Sequence, residues 1–146
     1  MGDTARVFRE FITLALAHPD GPALARTFDR TFQFELTDEA PFYMTIQGGQ
    51  IAVAEGDSGL DWQYRDWERV TCVNTSAQVL RDVAAGRRLI SEAFFNHDLG
   101  FGPRKLASRH INQSSIVAWL YALVRLAHDQ AQRAAHQRYL AELGVD

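Results

Sequence analysis

Thr31-Phe32-Gln33-Phe34-Glu35-Leu36 and, after a turn, Phe42-Tyr43-Met44-Thr45-Ile46-Gln47-Gly48-Gly49-Gln50-Ile51-Ala52-Val53-Ala54-Glu55 decide how this chain folds. Phe32, Phe34 and Leu36 alternate with Gln33, Glu35 and Thr37, the period of a strand with one buried face. Asp38-Glu39-Ala40-Pro41 makes the turn into a second strand over 42–47. Gly48-Gly49 joins that strand to a third over 50–55, through a hairpin turn that needs positive φ. The glycine pair is no phosphate loop, because strands flank it and no Gly-Lys-Ser/Thr follows.

Toward the C-terminus, Leu60-Asp61-Trp62-Gln63-Tyr64-Arg65-Asp66-Trp67-Glu68-Arg69 mixes aromatic and charged residues and either extends a strand or forms a connecting turn. Val70–Val73 reads as a further strand. Ser76 is placed to cap a helix over Ala77–Ala85, with Gly86 as its left-handed C-terminal residue. A second helix over Arg87–Asn96 turns Leu89, Ile90, Ala93 and Phe94 inward. Leu99-Gly100-Phe101-Gly102 is a short last strand, ended by Pro103.

Helical signals flank this core. Thr4–Ala17 carries Val7, Phe8, Phe11, Ile12, Ala15 and Leu16 near one face, and Pro19-Asp20-Gly21-Pro22 stops it. The acidic Asp3 and Glu10 make this a helix of the fold and not a secretory leader. A short helix over Ala23–Phe28 follows. The last third is one helical run from Ser115 to Leu143, capped by Asn112 or Ser114 and ended by Gly144. It would span on the order of 40 Å, so a break or a protruding end is expected. Its first half is apolar around much of its circumference. Its second half, with Gln130, Arg133, His136 and Arg138, keeps only a narrow stripe that either meets a partner helix or folds back on the domain.

A chain of 146 residues with a net charge of −3 suits a single domain, and its scattered arginines form no nucleic-acid stripe. No run approaches the ~18 apolar residues of a membrane span. The one cysteine, Cys72, allows no disulfide, fits a cytoplasmic protein, and sits in a strand as a small buried hydrophobe. His128 and His136 lie about 12 Å apart along their helix, too far to share a metal unaided. No cofactor motif is present.

Phe32-Gln33-Phe34-Glu35-Leu36, Phe42-Tyr43-Met44-Thr45-Ile46, Gly49-Gln50-Ile51-Ala52-Val53 and Val70-Thr71-Cys72-Val73-Asn74-Thr75-Ser76 together resemble the sterol carrier protein type-2 (SCP-2-like) family. Val79-Leu80, Ala85-Gly86, Ala93-Phe94-Phe95 and Leu99-Gly100-Phe101-Gly102 continue the likeness, which covers roughly residues 24–108. The resemblance implies an α+β fold: a twisted, mainly antiparallel five-stranded sheet covered by helices that enclose an apolar tunnel. It implies carriage or presentation of a lipid, sterol, acyl chain or polyisoprenoid-like molecule. Two features depart from the family pattern. The segment Trp62–Trp67 is longer and more aromatic, and Gly102-Pro103-Arg104-Lys105 brings positive charge after the last strand.

Candidate ligand-lining residues are Trp62, Trp67, Phe94, Phe95, Phe101, Trp119, Leu120 and Leu123, although a helical aromatic stripe is more often ordinary core, and both roles are compatible. Arg104 offers a fork for an anionic head group, while a solvated turn explains the same charge. No hydrolase, metalloprotease or dinucleotide motif occurs. His97, Asp98 and His110 are the best candidates for moving a proton, in a cofactor-free isomerase or cyclase acting on an apolar intermediate. His97 is also explained as a helix C-terminal residue. A third reading makes the C-terminal helix an assembly device for a homo-oligomer or a partner protein.

Overall fold

The computed structural model describes residues 2–27, 29–102 and 113–145, with Gln113 and Ser114 in backbone only. Strands β1 (Arg30–Leu36), β2 (Phe42–Gln47), β3 (Gln50–Glu55), β4 (Val70–Thr75) and β5 (Gly100–Gly102) form a sheet in the order β3-β2-β1-β4-β5. Pairs β1/β2, β2/β3 and β4/β5 are antiparallel, and β1/β4 is parallel. The expected α+β, mainly antiparallel sheet is present, with one parallel pair at its centre. Gly48 and Gly49 have φ of 59° and 79°, the doubly positive geometry that a two-residue hairpin turn requires.

Helices α1 (Asp3–Ala17), α2 (Gly21–Ala25), α3 (Ala77–Ala84), α4 (Ile90–Phe95) and α5 (Gln113–Glu142) complete the chain. The register puts Phe32, Phe34, Phe42, Met44, Val53, Val73 and Phe101 on one face of the sheet. The rings of Phe34 and Phe42 stack 4.5 Å apart, and Phe8 of α1 lies over both, at 5.2 and 5.5 Å. Farther along, Trp119 of α5 stacks on Phe32 at 5.9 Å. Helices therefore cover this face, and its aromatic side chains merge with theirs in one core.

The other face corrects the sequence reading of β1. Gln33, expected to be exposed, is 1% exposed, because the 56–69 connection from the β3 edge to β4 crosses over it. Gln33 holds that crossing: its Nε2 donates to the carbonyls of Phe42 and Gly56, and its Oε1 accepts from Ser58 N at 2.8 Å. Trp62–Trp67 lies in successive turns and not in a strand. Asp66 organises them, accepting from Asp61 N, Arg65 and Arg69. Those bonds, the backbone one first, hold its carboxyl well below the usual range.

Two helix boundaries also differ from expectation. The second helix runs over Gly21–Ala25 and not Ala23–Phe28, because Pro22 suits a first helical turn. The helix expected over Arg87–Asn96 shortens to Ile90–Phe95. Gly86, with φ of 80°, ends α3, and the amides of Arg87 and Arg88 bond back to Asp82 O, so the chain is extended again at Leu89 before α4 starts.

The β1–β2 turn does more than reverse the chain. Asp38 Oδ1 accepts from Ala77 N at 2.7 Å, at the start of α3, and Glu39 accepts from Thr4 N and Thr4 Oγ1 at the start of α1. Two consecutive carboxylates thus serve two helix N-termini, where the helix dipole favours negative charge. Ser76 adds the side-chain cap read from sequence, accepting from Val79 N at 3.0 Å.

α5 is continuous. Ile116, Val117, Trp119, Leu120, Leu123 and Ala127 are buried, and among the described residues His128 and Asp129 make the last side-chain bonds to the body, to Ala84 O at 2.8 Å and to His18 Nε2 at 2.6 Å. His18 Nδ1 accepts from Asp20 N, so Nε2 is the donor toward Asp129. From 131 onward α5 is exposed, apart from the half-buried Ala135 and Leu140, and Gly144 with φ of 73° closes it.

Candidate ligand-binding site

Among the described residues, the apolar side chains read as cavity walls are divided between the two faces of the sheet. Leu120, Leu123 and Phe101 are core residues on the helix-covered face. Phe94 is half-buried with its ring 5.4 Å from Phe101, whereas the neighbouring Phe95 is 73% exposed. Trp62 lies on the opposite face of the sheet: Gly102 pairs with Cys72, out of phase with Phe101, and a Cβ on Gly102 would come within 2.7 Å of the Trp62 ring. Trp67 belongs to the same crossing, its carbonyl accepting from Arg30. Arg104, Lys105 and His110 lie outside the described residues.

Among the described residues, Trp119 borders open apolar space. Between α2 and the start of α5, Leu24, Thr27, Ile116, Ala118, Trp119 and Ala122 line a groove of about 490 Å³. The indole N–H donates to Thr27 Oγ1 at 2.8 Å and to Leu24 O at 3.3 Å, while the ring stacks on Phe32 of the sheet. The one polar atom of the indole is therefore satisfied within the protein, and the groove offers a visitor mainly hydrocarbon. A second apolar groove of about 300 Å³ lies between α1 and α3, walled by Val7, Phe11, Leu14 and Ala84. Both volumes fall at or above the lower end of the range of small-molecule pockets.

His97 and Asp98 occupy a separate, polar place. A cleft of about 600 Å³ at the carboxyl ends of β1 and β4 is lined by Glu35, Thr37, Asn74, Ser76, His97 and Asp98. Burial, aided by the charge of Asp57, pushes the Glu35 carboxyl up. Asp98 is engaged by Arg88 at 2.7 Å, and its carbonyl accepts from Thr75 Oγ1. His97 has φ of 63°, with its N–H bonded to Phe94 O and that of Asp98 to Ala93 O. That is the left-handed backbone closure of a helix C-terminus. Sequence reasoning missed Glu35, whose place in this cleft depends on the parallel β1/β4 pairing. It missed Thr27 as well, which a single residue type in a loop does not signal.

Two further titratable groups are buried within the fold. Cys72 is fully buried, and burial pushes its thiol up to about 12, so it stays protonated. Arg30 is almost fully buried and donates to Thr71 Oγ1, Glu68 O and Trp67 O; burial lowers its affinity for its proton. Among the described residues no helix is long and apolar enough to cross a membrane.

The fold has a solved counterpart. A protein described as a UbiJ-SCP2 ubiquinone synthesis protein is similar to this chain, with a TM-score of 0.56 and 15% identity over 85% of this chain and 94% of that one. No family model matches the sequence, and no curated protein matches it either. At that identity the likeness establishes the architecture: an SCP-2-like fold with a C-terminal helix.

Proposed function

We propose that this SCP-2-like fold binds an apolar small molecule, an acyl chain, sterol or polyisoprenoid-like compound, and presents it to biosynthetic enzymes without transforming it. The observation that carries this reading is the groove of about 490 Å³ beside Trp119, walled by hydrocarbon and contiguous through the indole with the aromatic face of the sheet. An apolar molecule gains roughly 25 cal/mol for each Å² it removes from water there, so a long chain binds with few polar contacts. Selectivity in such a groove is broad, because one methylene is worth only about 1–3 kcal/mol. The counterpart described as a ubiquinone synthesis protein supports the presenting role and favours a polyisoprenoid-like cargo.

The test is native mass spectrometry of the purified protein, followed by organic extraction and titration with fatty acids, sterols and polyprenyl compounds. A co-purifying apolar molecule, or micromolar binding of one of these classes, is expected. A protein that is empty and binds none of them would refute the proposal.

The carrier reading is preferred to an isomerase or cyclase because the polar cleft holding His97 and Asp98 has a lining distinct from the Trp119 groove. The exposed half of α5 suits association with another helix, either from a second copy or from a partner protein.

A further inference from the structure

The aromatic face of the sheet is closed to solvent. Phe32, Phe34, Met44 and Leu120 are each at most 1% exposed, so an apolar molecule reaches them only when a covering element moves. We infer that α2 is a hinged cover on this face, latched by the Trp119–Thr27 hydrogen bond, and that apolar cargo enters at the seam between α2 and α5. This inference rests on the apolar-binding function proposed above.

The two ends of α2 are held differently. At its start, Gly21 N donates to His18 O at 2.9 Å, and a Cβ on Gly21 would lie 2.0 Å from Ala15 O, so backbone meets backbone at the end of α1. That end is fixed. At its far end, Leu24 O and Thr27 Oγ1 receive the indole N–H of Trp119, and the Thr27 hydroxyl donates in turn to Leu24 O at 2.7 Å. A helix of five residues does not hold its place alone in water, so α2 is seated by these contacts together with the burial of Ala25 and the packing of Leu24 against the core.

Trp119 is at once latch and wall. One edge bonds Leu24 O of α2 and Thr27 just beyond it, its face stacks on Phe32, and its side lines the groove. Releasing the indole from Thr27 Oγ1 and Leu24 O loosens the far end of α2, which can then lift from α5 between Gly21 and the start of β1 and open the groove onto Phe32. The bond released is between neutral groups, and such bonds contribute little net stability, so the open state is thermally accessible.

Stopped-flow uptake of cis-parinaric acid, a fluorescent fatty acid, tests the latch. Thr27→Val keeps the side-chain shape and removes the hydroxyl. The association rate and the affinity should both rise about five-fold, the factor set by one net hydrogen bond. Hydrogen exchange across residues 21–27 of the ligand-free protein should accelerate, and Thr27→Ser should return both readouts to wild type. Should Thr27→Val not fold, Trp119→Phe removes the donor and keeps an aromatic ring, with the same expectation. Uptake by the latch variants at the wild-type rate, with exchange at 21–27 unchanged, would overturn the hinged cover and leave the binding function standing. No uptake by the wild-type protein at micromolar concentrations would overturn both.

Discussion

Gly102 shows how one missing side chain fixes a larger one. Its Cα faces the Trp62 ring, and an added Cβ would stand 2.7 Å from it, closer than carbon atoms tolerate. Gly102→Ala should therefore displace Trp62 and cost about 1–3 kcal/mol, typical of overpacking. Chemical denaturation gives the loss, and the tryptophan emission of the folded variant should shift red if Trp62 moves toward solvent; an unchanged spectrum and stability would contradict the packing. Glu39 acts at the same scale through charge. The Thr4 hydroxyl and amide hold its carboxyl below the usual range, with Arg81 adding to the effect. A carboxyl whose folded value is depressed contributes stability above its unfolded pKa, about 4.3, and loses it as pH falls through the folded value. Glu39→Gln should be less stable at pH 7 by about 1 kcal/mol, a helix-cap loss, and its stability should fall less steeply than the wild type's below about pH 4.3. Parallel acid profiles for the two proteins would refute the assignment.

Among the elements, the strands were the most legible. The Phe32/Phe34/Leu36 alternation and the Gly48-Gly49 pair located β1 and the β2–β3 hairpin, because period and turn chemistry are local properties. The C-terminal helix was legible too, with Gly144 as its stop. What failed were the features set by a neighbour. Gln33 reads as solvent-facing until the crossing segment arrives above it, and the two carboxylates of the β1–β2 turn gain their capping roles only when α1 and α3 are brought to them. The candidate site fared similarly. Trp119 was legible as a large side chain on an apolar helix, whereas its partners Thr27 and Leu24 lie more than ninety residues away in sequence. The sequence spacing of Trp62 and Phe94 said nothing about their lying on opposite faces of the sheet.

At the scale of the molecule, α5 divides at Asp129. Up to that residue it belongs to the core, and beyond it the apolar side chains Tyr139 and Leu143 are 64% and 76% exposed. Removing residues 131–146 should leave the thermal midpoint within about 2 °C of the full chain, since the exposed segment buries little. The same truncation should abolish self-association if the free half of α5 is the contact. Sedimentation of both proteins checks this: a full-length chain that is monomeric throughout would exclude the self-associating form.

By itself the sequence determined the kind and order of the elements, and through them an SCP-2-like α+β fold, because periodicity, capping and turn residues act over a few positions. Only the tertiary structure decided which face of the sheet each aromatic joined. It alone set Trp119 between α2 and Phe32, and made Gln33 a buried clamp. Those outcomes depend on contacts between residues far apart in the chain, and a contact of that kind has no local signature in either partner.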